Sequence, residues 1–381
     1  MGLKIQNPRL FRILLAVLLL IVFITAGCGS ESGSGKLTSQ ILGQSKLLAL
    51  QPIAGEANLR QLVLVEAGSS NIDITEIDKA FAFEVSPDEK LVAYAGDEGI
   101  YVSGIDGSKT VRITSLTPKF DLNTHQERLV GKVMAWAPDG RRLAFVCGGD
   151  LFVVDIQKNA EPKLVTKRSP DQLTVSEGAP ALAPRIEGIV CPNWLNNRTL
   201  IYHDFYNKYD GNWQYFFKIM KVNSDGTGKQ VLIDGAQEPI LSPDRTKILY
   251  HENNTLGGIV KTAATDGSDI RTITGLMDAD QEPMTYSWSK DGQDIVFDGF
   301  SVNERNGKQT AFAGELSSDS QDLKRGSSAE LPSFSPDGKW VIFSASRGPK
   351  FVKIVNDNYT YDSSMAFEPL QDLGSFAWIK G

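Results

Sequence analysis

Four glutamates stand at corresponding places in a repeating pattern, each a few residues before a short apolar stretch: Glu187, Glu238, Glu282 and Glu330. Carboxylates gathered at the mouth of a channel would attract a cation or a basic segment of a partner. The alternative is that several of them are solvated loop residues. The sequence thus predicts an acidic candidate binding site and leaves that plainer explanation open.

A second candidate is the segment 204–215, which interleaves aromatic residues with amides and carboxylates. Aromatic side chains give a large contact area with a polar handle, so they could stack on a sugar ring or anchor a protein partner. The alternative is that the segment folds back on its own part of the structure. The candidate partner- or ligand-binding residues are Phe205, Tyr206, Tyr209, Trp213 and Tyr215.

Chemistry beyond binding has weaker support. His203 and His251 occupy corresponding places, and each precedes a carboxylate, which is a possible metal set. Repetition alone also produces such pairs, so we expect no metal and no cofactor. The sequence contains no Gly-x-Ser-x-Gly, phosphate-loop, zinc or calcium signature. We therefore expect no catalytic residues and favour a binding protein over an enzyme.

Two cysteines, Cys147 and Cys191, remain beyond the N-terminal segment. In an oxidising compartment they could form a disulfide between neighbouring repeats, because one follows a strand and the other lies in the first strand of the next repeat. Two buried thiols are the open alternative.

The elements that position these residues follow from one motif. Ser335-Pro336-Asp337-Gly338 reads as a tight turn, in which proline presets φ, aspartate bonds its own backbone and glycine accepts a positive φ. The flanking stretches 332–334 and 340–343 read as β-strands. The motif therefore predicts a hairpin.

The hairpin recurs along the chain. The residue at the serine position falls at 86, 137, 195, 242, 289 and 335, so the unit repeats every 46 to 58 residues. A second hairpin follows in most units, with turns such as Asp106-Gly107-Ser108. Four short strands per unit at this period are typical of propeller blades.

The ends of the chain supply the pieces of a further blade. Stretches 47–50, 62–65 and 72–75 read as its second to fourth strands, and 375–378 reads as its first strand. We expect an all-β propeller of four-stranded antiparallel blades, seven in number and closed by the N- and C-terminal strands. The alternative is six blades with extra terminal strands.

The repeat resembles that of TolB-like β-propeller proteins. The resemblance rests on the Ser-Pro-Asp-Gly-Lys turn, on the aromatic residue two places before the proline position of that turn (Trp136, Trp288 and Phe334), and on the apolar pair that ends in tyrosine or phenylalanine. It covers most of residues 79–370 and implies the propeller fold. It does not specify an activity.

Alternating strand direction separates two faces of such a disc. On one face, the turns between the first and second strands and between the third and fourth strands are short and regular. The face with the second-to-third strand loops and the connections between blades holds the irregular segments 115–130, 167–188, 204–215 and 299–309. Function is expected on this irregular face.

The N-terminus reads as an export signal. Residues 1–27 combine positive charges, the apolar run 13–24 and small residues directly before Cys28. This arrangement resembles a bacterial lipoprotein signal, which implies lipidation (palmitate) of Cys28. An uncleaved membrane anchor is the alternative. Residues 28–45 are predicted to be a flexible Gly/Ser tether, and 46–381 a single propeller domain.

Composition limits the partners. The chain has a net charge of −7 and no basic cluster, which excludes a nucleic-acid-binding surface. We expect a lipid-anchored protein on the extracytoplasmic side of the cell membrane or outer membrane, acting as a protein-binding or scaffolding module of the envelope. The alternative is a carbohydrate-binding or carbohydrate-active propeller, so the partner is an envelope protein or a glycan.

Overall fold

A computed structural model describes residues 42, 45–56, 59–67, 72–116, 132–168, 187–209, 212–254, 257–272, 281–292, 294–301, 309–315, 324–325, 330–344, 350–355, 358–361 and 376–380. The predicted signal sequence, Cys28 and the Gly/Ser run lie outside these residues. Leu42 falls within the predicted tether, yet it is buried against Leu47 and Val63. No helix in the described part of the chain is long and apolar enough to cross a membrane.

The described strands form seven four-stranded antiparallel sheets, in each of which neighbours pair in order. The chain starts with β1 (Lys46–Pro52), β2 (Arg60–Ala67) and β3 (Ile72–Ala80). Sheet 1 contains β4 (Ala82–Val85), β5 (Leu91–Gly96), β6 (Gly99–Gly104) and β7 (Val111–Thr114). Sheet 2 contains β8 (Met134–Trp136), β9 (Arg142–Cys147), β10 (Asp150–Asp155) and β11 (Lys163–Thr166). Sheet 3 contains β12 (Glu187–Trp194), β13 (Thr199–Tyr209), β14 (Trp213–Asn223) and β15 (Gln230–Asp234).

Three further sheets follow the same order. Sheet 4 contains β16 (Ala236–Leu241), β17 (Lys247–Asn254), β18 (Gly257–Ala264) and β19 (Arg271–Thr272). Sheet 5 contains β20 (Gln281–Trp288), β21 (Asp294–Ser301), β22 (Gln309–Glu315) and β23 (Lys324–Arg325). Sheet 6 contains β24 (Glu330–Phe334), β25 (Trp340–Ser344), β26 (Lys350–Val355) and β27 (Asn358–Tyr361). Sheet 7 joins the last strand, β28 (Phe376–Ile379), to β1, so that its order is β28-β1-β2-β3.

The Ser-Pro-Asp turn has the predicted geometry. In sheet 6 the backbone N–H of Gly338 donates to the Ser335 carbonyl at 2.9 Å, and Gly338 has φ +68°. The buried Ser335 hydroxyl donates to the Asp337 carboxylate at 2.6 Å and accepts from Trp340 N–H at 3.0 Å. This pattern closes the hairpin and satisfies the buried hydroxyl.

The hydrophobic core lies between successive sheets. Ile100 of sheet 1 packs with Phe145 of sheet 2, and Val153 of sheet 2 packs with Tyr202 of sheet 3. Sheet 7 is covered on both sides. Its Leu50 meets Tyr94 of sheet 1, and its other side meets sheet 6.

The predicted irregular segment 204–215 is largely strand, contrary to expectation. β13 runs through Tyr209 and β14 starts at Trp213, and these two residues pair across the hairpin. Each residue from 204 to 209 pairs with one from 213 to 218, so the two strands of the hairpin continue through the segment.

Cys147 and Cys191 are not joined by a disulfide. Cys147 packs against the core between sheets 1 and 2, whereas Cys191 is buried with Val190 and Phe205. The two cysteines thus belong to different parts of the core. Cys191 is a buried thiol, as one alternative has it, whereas Cys147 is partly exposed.

Candidate functional site

The four predicted glutamates lie in the first strands of successive sheets. Glu187 starts β12, Glu238 is in β16, Glu282 is in β20 and Glu330 starts β24. The structure describes the side chain of Glu238, which is 18% exposed. These acids therefore lie in first strands, at or just after the connection from the preceding sheet. Glu238 is not a solvated loop residue.

Glu238 belongs to a group of polar side chains that we call the inner cluster, most of them on neighbouring first strands. Sheet 1 contributes Glu84 and sheet 3 contributes Cys191, while Lys132 lies two residues before β8 of sheet 2. The full cluster is Glu84, Lys132, Cys191, Gln237, Glu238, His251 and Tyr286. Charge interactions connect Lys132 to Cys191, Glu84 and Glu238. Charged groups that shift one another's pKa inside a protein occur both at functional sites and in structural ion-pair networks.

Backbone contacts hold these strands side by side. Cys191 N–H donates to the Lys132 carbonyl at 3.0 Å. The Asn193 amide donates to the carbonyls of Cys191 at 2.9 Å and Pro239 at 2.8 Å. The Tyr286 hydroxyl donates to the Glu238 carbonyl. Sheets 2 to 5 are thus connected in succession at the level of the cluster.

Two of the cluster residues lie at β-bulges, one in β12 and one in β16. Cys191 and Glu238 both have φ +51°, and each directly precedes a proline. The strand register shifts at both places. A left-handed conformation costs a residue with a side chain about 1–3 kcal/mol, and such strain clusters at binding and catalytic sites.

Burial changes the ionisation of the cluster. It raises the pKa of Glu84 to about 7, and the nearby Lys132 ammonium partly opposes this rise. Burial also lowers the pKa of Lys132, which its anionic neighbours oppose. Both side chains keep part of their surface accessible. A carboxyl group that titrates near neutrality beside an amine can bind a polar ligand or exchange a proton with it.

Two buried groups of the cluster have unused hydrogen-bonding capacity. Neither Gln237 Nε2 nor His251 Nδ1 has a hydrogen-bond partner among the described residues. Gln237 is 6% exposed and His251 is 7% exposed. His251 Nδ1 lies 3.9 Å from Glu238 Oε2, and burial lowers the pKa of His251 to about 4. Buried polar groups normally find partners, so each of these two can still form a hydrogen bond to water or to a ligand. Among the described residues, the same holds for side-chain atoms of Tyr202, His203, Tyr250 and Trp378.

The second histidine, His203, has different surroundings. It is 2% exposed and lies beside the rings of Phe205 and Phe217, at centroid distances of 5.4 and 5.9 Å. Burial lowers its pKa to about 3. The neighbouring Asp204 is also buried, which raises its pKa. Among the described residues no group of three or more His, Cys, Asp or Glu side chains could hold a metal ion.

The aromatic candidates do not form one surface. Phe205 is buried at 5% exposure, and Tyr206 stacks on Phe216 with ring centroids 4.7 Å apart. Tyr215 is 54% exposed. For Tyr209 and Trp213 the structure describes the backbone pairing. The hairpin therefore offers Tyr215 to a partner and uses Phe205 for packing.

The sequence predicted Glu238 as a site residue but missed Glu84, Lys132, Gln237 and Tyr286. One signal was present: Cys191-Pro192 and Glu238-Pro239 stand at the same place in successive repeats, where a left-handed residue before proline marks a bulge. Glu84 gives no comparable signal, because an acid at that place in a strand reads as an outward-facing residue.

No protein-family model matches the chain, and no curated protein matches it in sequence. Solved structures do match in fold. A provisionally named 6-phosphogluconolactonase from Bacteroides uniformis is 11% identical with a TM-score of 0.55, over 88% of this chain and 99% of that one. Oligogalacturonate lyase from Vibrio parahaemolyticus is 12% identical with a TM-score of 0.50, over 83% and 85%.

TolB from Acinetobacter baumannii is also similar, with 12% identity and a TM-score of 0.46 over 90% of this chain and 70% of that one. The first two similarities support a β-propeller fold. At these identities they show the fold alone. Membership in the TolB-like repeat family remains a prediction from the motif.

Proposed function

We propose that the chain is a seven-bladed β-propeller that acts as a binding module of the cell envelope. The seven sheets are its blades, and sheet 7 closes the ring. This proposal is supported by sheet 7, which combines both ends of the chain and packs against sheets 1 and 6. A lipid on Cys28 and the tether 28–45 hold the propeller outside the cytoplasm.

The observation that carries the binding role is the pair of unpartnered buried groups, Gln237 Nε2 and His251 Nδ1, beside Glu238 and Lys132. The amide donates, the imidazole donates or accepts, and the carboxylate accepts. Hydroxyl groups satisfy all three because each both donates and accepts. The ligand we propose is therefore a small, hydroxyl-rich molecule of the carbohydrate class.

A panel titration tests this proposal. The full chain in neutral nanodiscs is titrated with neutral, uronic-acid and amino-sugar oligosaccharides. One class should bind, and Gln237→Leu should weaken that binding by about tenfold or more, because a buried donor to the ligand is lost. Gln61→Leu, the same change on sheet 7 where the amide donates to the Asp78 carbonyl, is the matched control. Binding that Gln237→Leu leaves unchanged, or no binding by any class, would remove the carbohydrate proposal.

The same titration separates binding from catalysis. Glu84 and Lys132 carry groups suited to proton exchange, so the sugars are analysed by mass after incubation. An unchanged mass supports a binding module. A cleaved or dehydrated product would establish a carbohydrate-active enzyme.

A second candidate is docking of an envelope protein on the hairpin β13–β14, favoured by the exposed Tyr215. A photo-crosslinking residue at position 215 should give a discrete adduct in cells. A probe at Lys339, on the regular turn face, should not. Equal labelling from both positions would exclude a specific interface at the hairpin.

The lipid anchor is tested separately. Cys28→Ser should abolish lipid labelling and leave the protein either released or unprocessed. Normal labelling and membrane retention of this variant would remove the lipoprotein assignment.

A further inference from the structure

The described residues form a second site at the turn end of sheet 1, apart from the inner cluster. An open cavity of about 640 Å³ lies between the turns of β4–β5 and β6–β7, the start of β1 and the residues after β10. Its wall includes Val102, Val111 and Ile113. A volume of a few hundred Å³ with an apolar wall suits a small molecule.

Positive charge surrounds this cavity, although the chain as a whole is acidic. Four lysines line it, namely Lys46, Lys90, Lys109 and Lys158, against the two carboxylates of Glu89 and Asp106. The net charge of the chain is −7. The cavity is therefore a local reversal of the overall charge, which concentrates anions there.

Both lining carboxylates already have hydrogen-bond donors. Asp106 Oδ1 accepts Ser108 N–H at 3.0 Å within its turn, and Glu89 Oε2 accepts Lys380 N–H at 2.6 Å. Lys46 pairs with Glu66 at 2.6 Å. Lys90, Lys109 and Lys158 are exposed residues of the lining, so their ammonium groups can reach an incoming ligand.

We propose that this cavity binds an amphipathic anion, a phosphate or carboxylate carried on a short apolar body. The lysines bind the anionic group, and Val102, Val111 and Ile113 pack against the apolar body. This inference is independent of the carbohydrate site, because no residue is shared between them.

The test is protection of individual lysines from acetylation, measured by mass spectrometry on the full chain in neutral nanodiscs with hexyl phosphate as the probe. At about ten times the Kd, acetylation of Lys90, Lys109 and Lys158 should slow about tenfold. The exposed Lys229 and Lys339, on turns of other sheets, should react unchanged. No protection, or equal protection at all five lysines, would overturn the proposal.

Matched probes test each part of the ligand. Hexanol has the apolar body alone and should not protect. Inorganic phosphate has the charge alone and should protect only at higher concentration, and equal potency to hexyl phosphate would overturn the amphipathic assignment. Val111→Asp, at a wall residue that is 37% exposed, should abolish protection by hexyl phosphate. Persistence of full protection in this variant would contradict the site.

A last arm identifies the source of the anion. Nanodiscs containing anionic phospholipid are compared with neutral ones without added probe. Protection of the same three lysines would identify a lipid headgroup. Protection by hexyl phosphate alone would identify a soluble amphiphile.

Discussion

The fourth residue of the Ser-Pro-Asp turn has a left-handed backbone conformation. Gly338 has φ +68°, and a Cβ added there would meet nothing within 4 Å. Glu89 and Arg245 occupy the same place in other repeats with φ +59°. Space therefore does not select glycine at this position, and the cost of a substitution is a backbone cost.

Gly338→Val should lower the free energy of unfolding by about 1 kcal/mol or more, because a β-branched residue resists positive φ. Gly338→Asn, the matched control, should cost less, since asparagine tolerates that region. Thermal unfolding of both variants checks this. Equal melting temperatures for the valine variant and the wild type would contradict the assigned turn.

Glu84 predicts a pH dependence of stability. Its pKa is raised from 4.5 to about 7, so the folded protein keeps a proton that the unfolded chain releases between these values. The wild type should therefore lose stability relative to Glu84→Gln as pH rises from about 4.5 to 7, at up to about 1.4 kcal/mol per pH unit. Denaturant unfolding across this range measures the difference.

Glu98→Gln, whose wild-type side chain is 77% exposed, is the control and should show no such trend. A constant difference between the wild type and Glu84→Gln across the range would show that Glu84 is not buried with a raised pKa.

The inner cluster shows the limit of sequence reasoning about single residues. Glu238 was found because it repeats with its neighbours. Lys132 lies outside every motif, and its proximity to Glu84 and Glu238 depends on how first strands from several sheets are placed side by side. That placement depends on contacts between sheets, which one sequence does not reveal.

Tryptophan side chains connect neighbouring sheets through hydrogen bonds to the backbone. Trp194 Nε1 donates to the Ala135 carbonyl of the preceding sheet at 3.0 Å, and Trp136 Nε1 donates to the Glu84 carbonyl at 3.0 Å. Trp288 Nε1 reaches the Ile240 carbonyl at 3.4 Å. The aromatic residue of the repeat therefore both fills the core and binds the neighbouring backbone.

Trp194→Phe should cost about 1–3 kcal/mol of stability, because it removes a buried hydrogen bond and leaves the Ala135 carbonyl without that donor. Trp288→Phe is the matched change at a longer contact and should cost less. Chemical unfolding ranks the two variants. The reverse order would show that ring volume, and not the hydrogen bond, determines the effect.

The sequence predicted most elements of the repeat, because turn residues and alternating apolar residues specify the hairpins locally. It did not predict the length of β13 and β14, where strand pairing continues through residues that resemble a loop. It also did not predict the bulges at Cys191 and Glu238, whose conformation the neighbouring strands stabilise against the local preference.

The described part of the molecule consists of seven similar sheets. One of them combines the first three described strands with the last one. The repeat made the all-β class and the terminal sheet predictable. Repetition also explains why function was not predictable, since most of the conspicuous motifs build the turns. Lys132 and Gln237 of the inner cluster are not part of the repeated turn motif. Packing of the core does not explain why these two polar side chains are there.

Our central claim is that the inner cluster keeps Gln237 for a ligand. The stability of Gln237→Leu, compared with that of Asn193→Leu, tests this claim most directly. Asn193 makes two backbone hydrogen bonds, so its loss should cost about 1–3 kcal/mol. The Gln237 amide nitrogen has no partner among the described residues, so Gln237→Leu should leave the free energy of unfolding unchanged or raise it. This result would show a group retained for a ligand. Destabilisation equal to that of Asn193→Leu would show a structural role and contradict the proposed site.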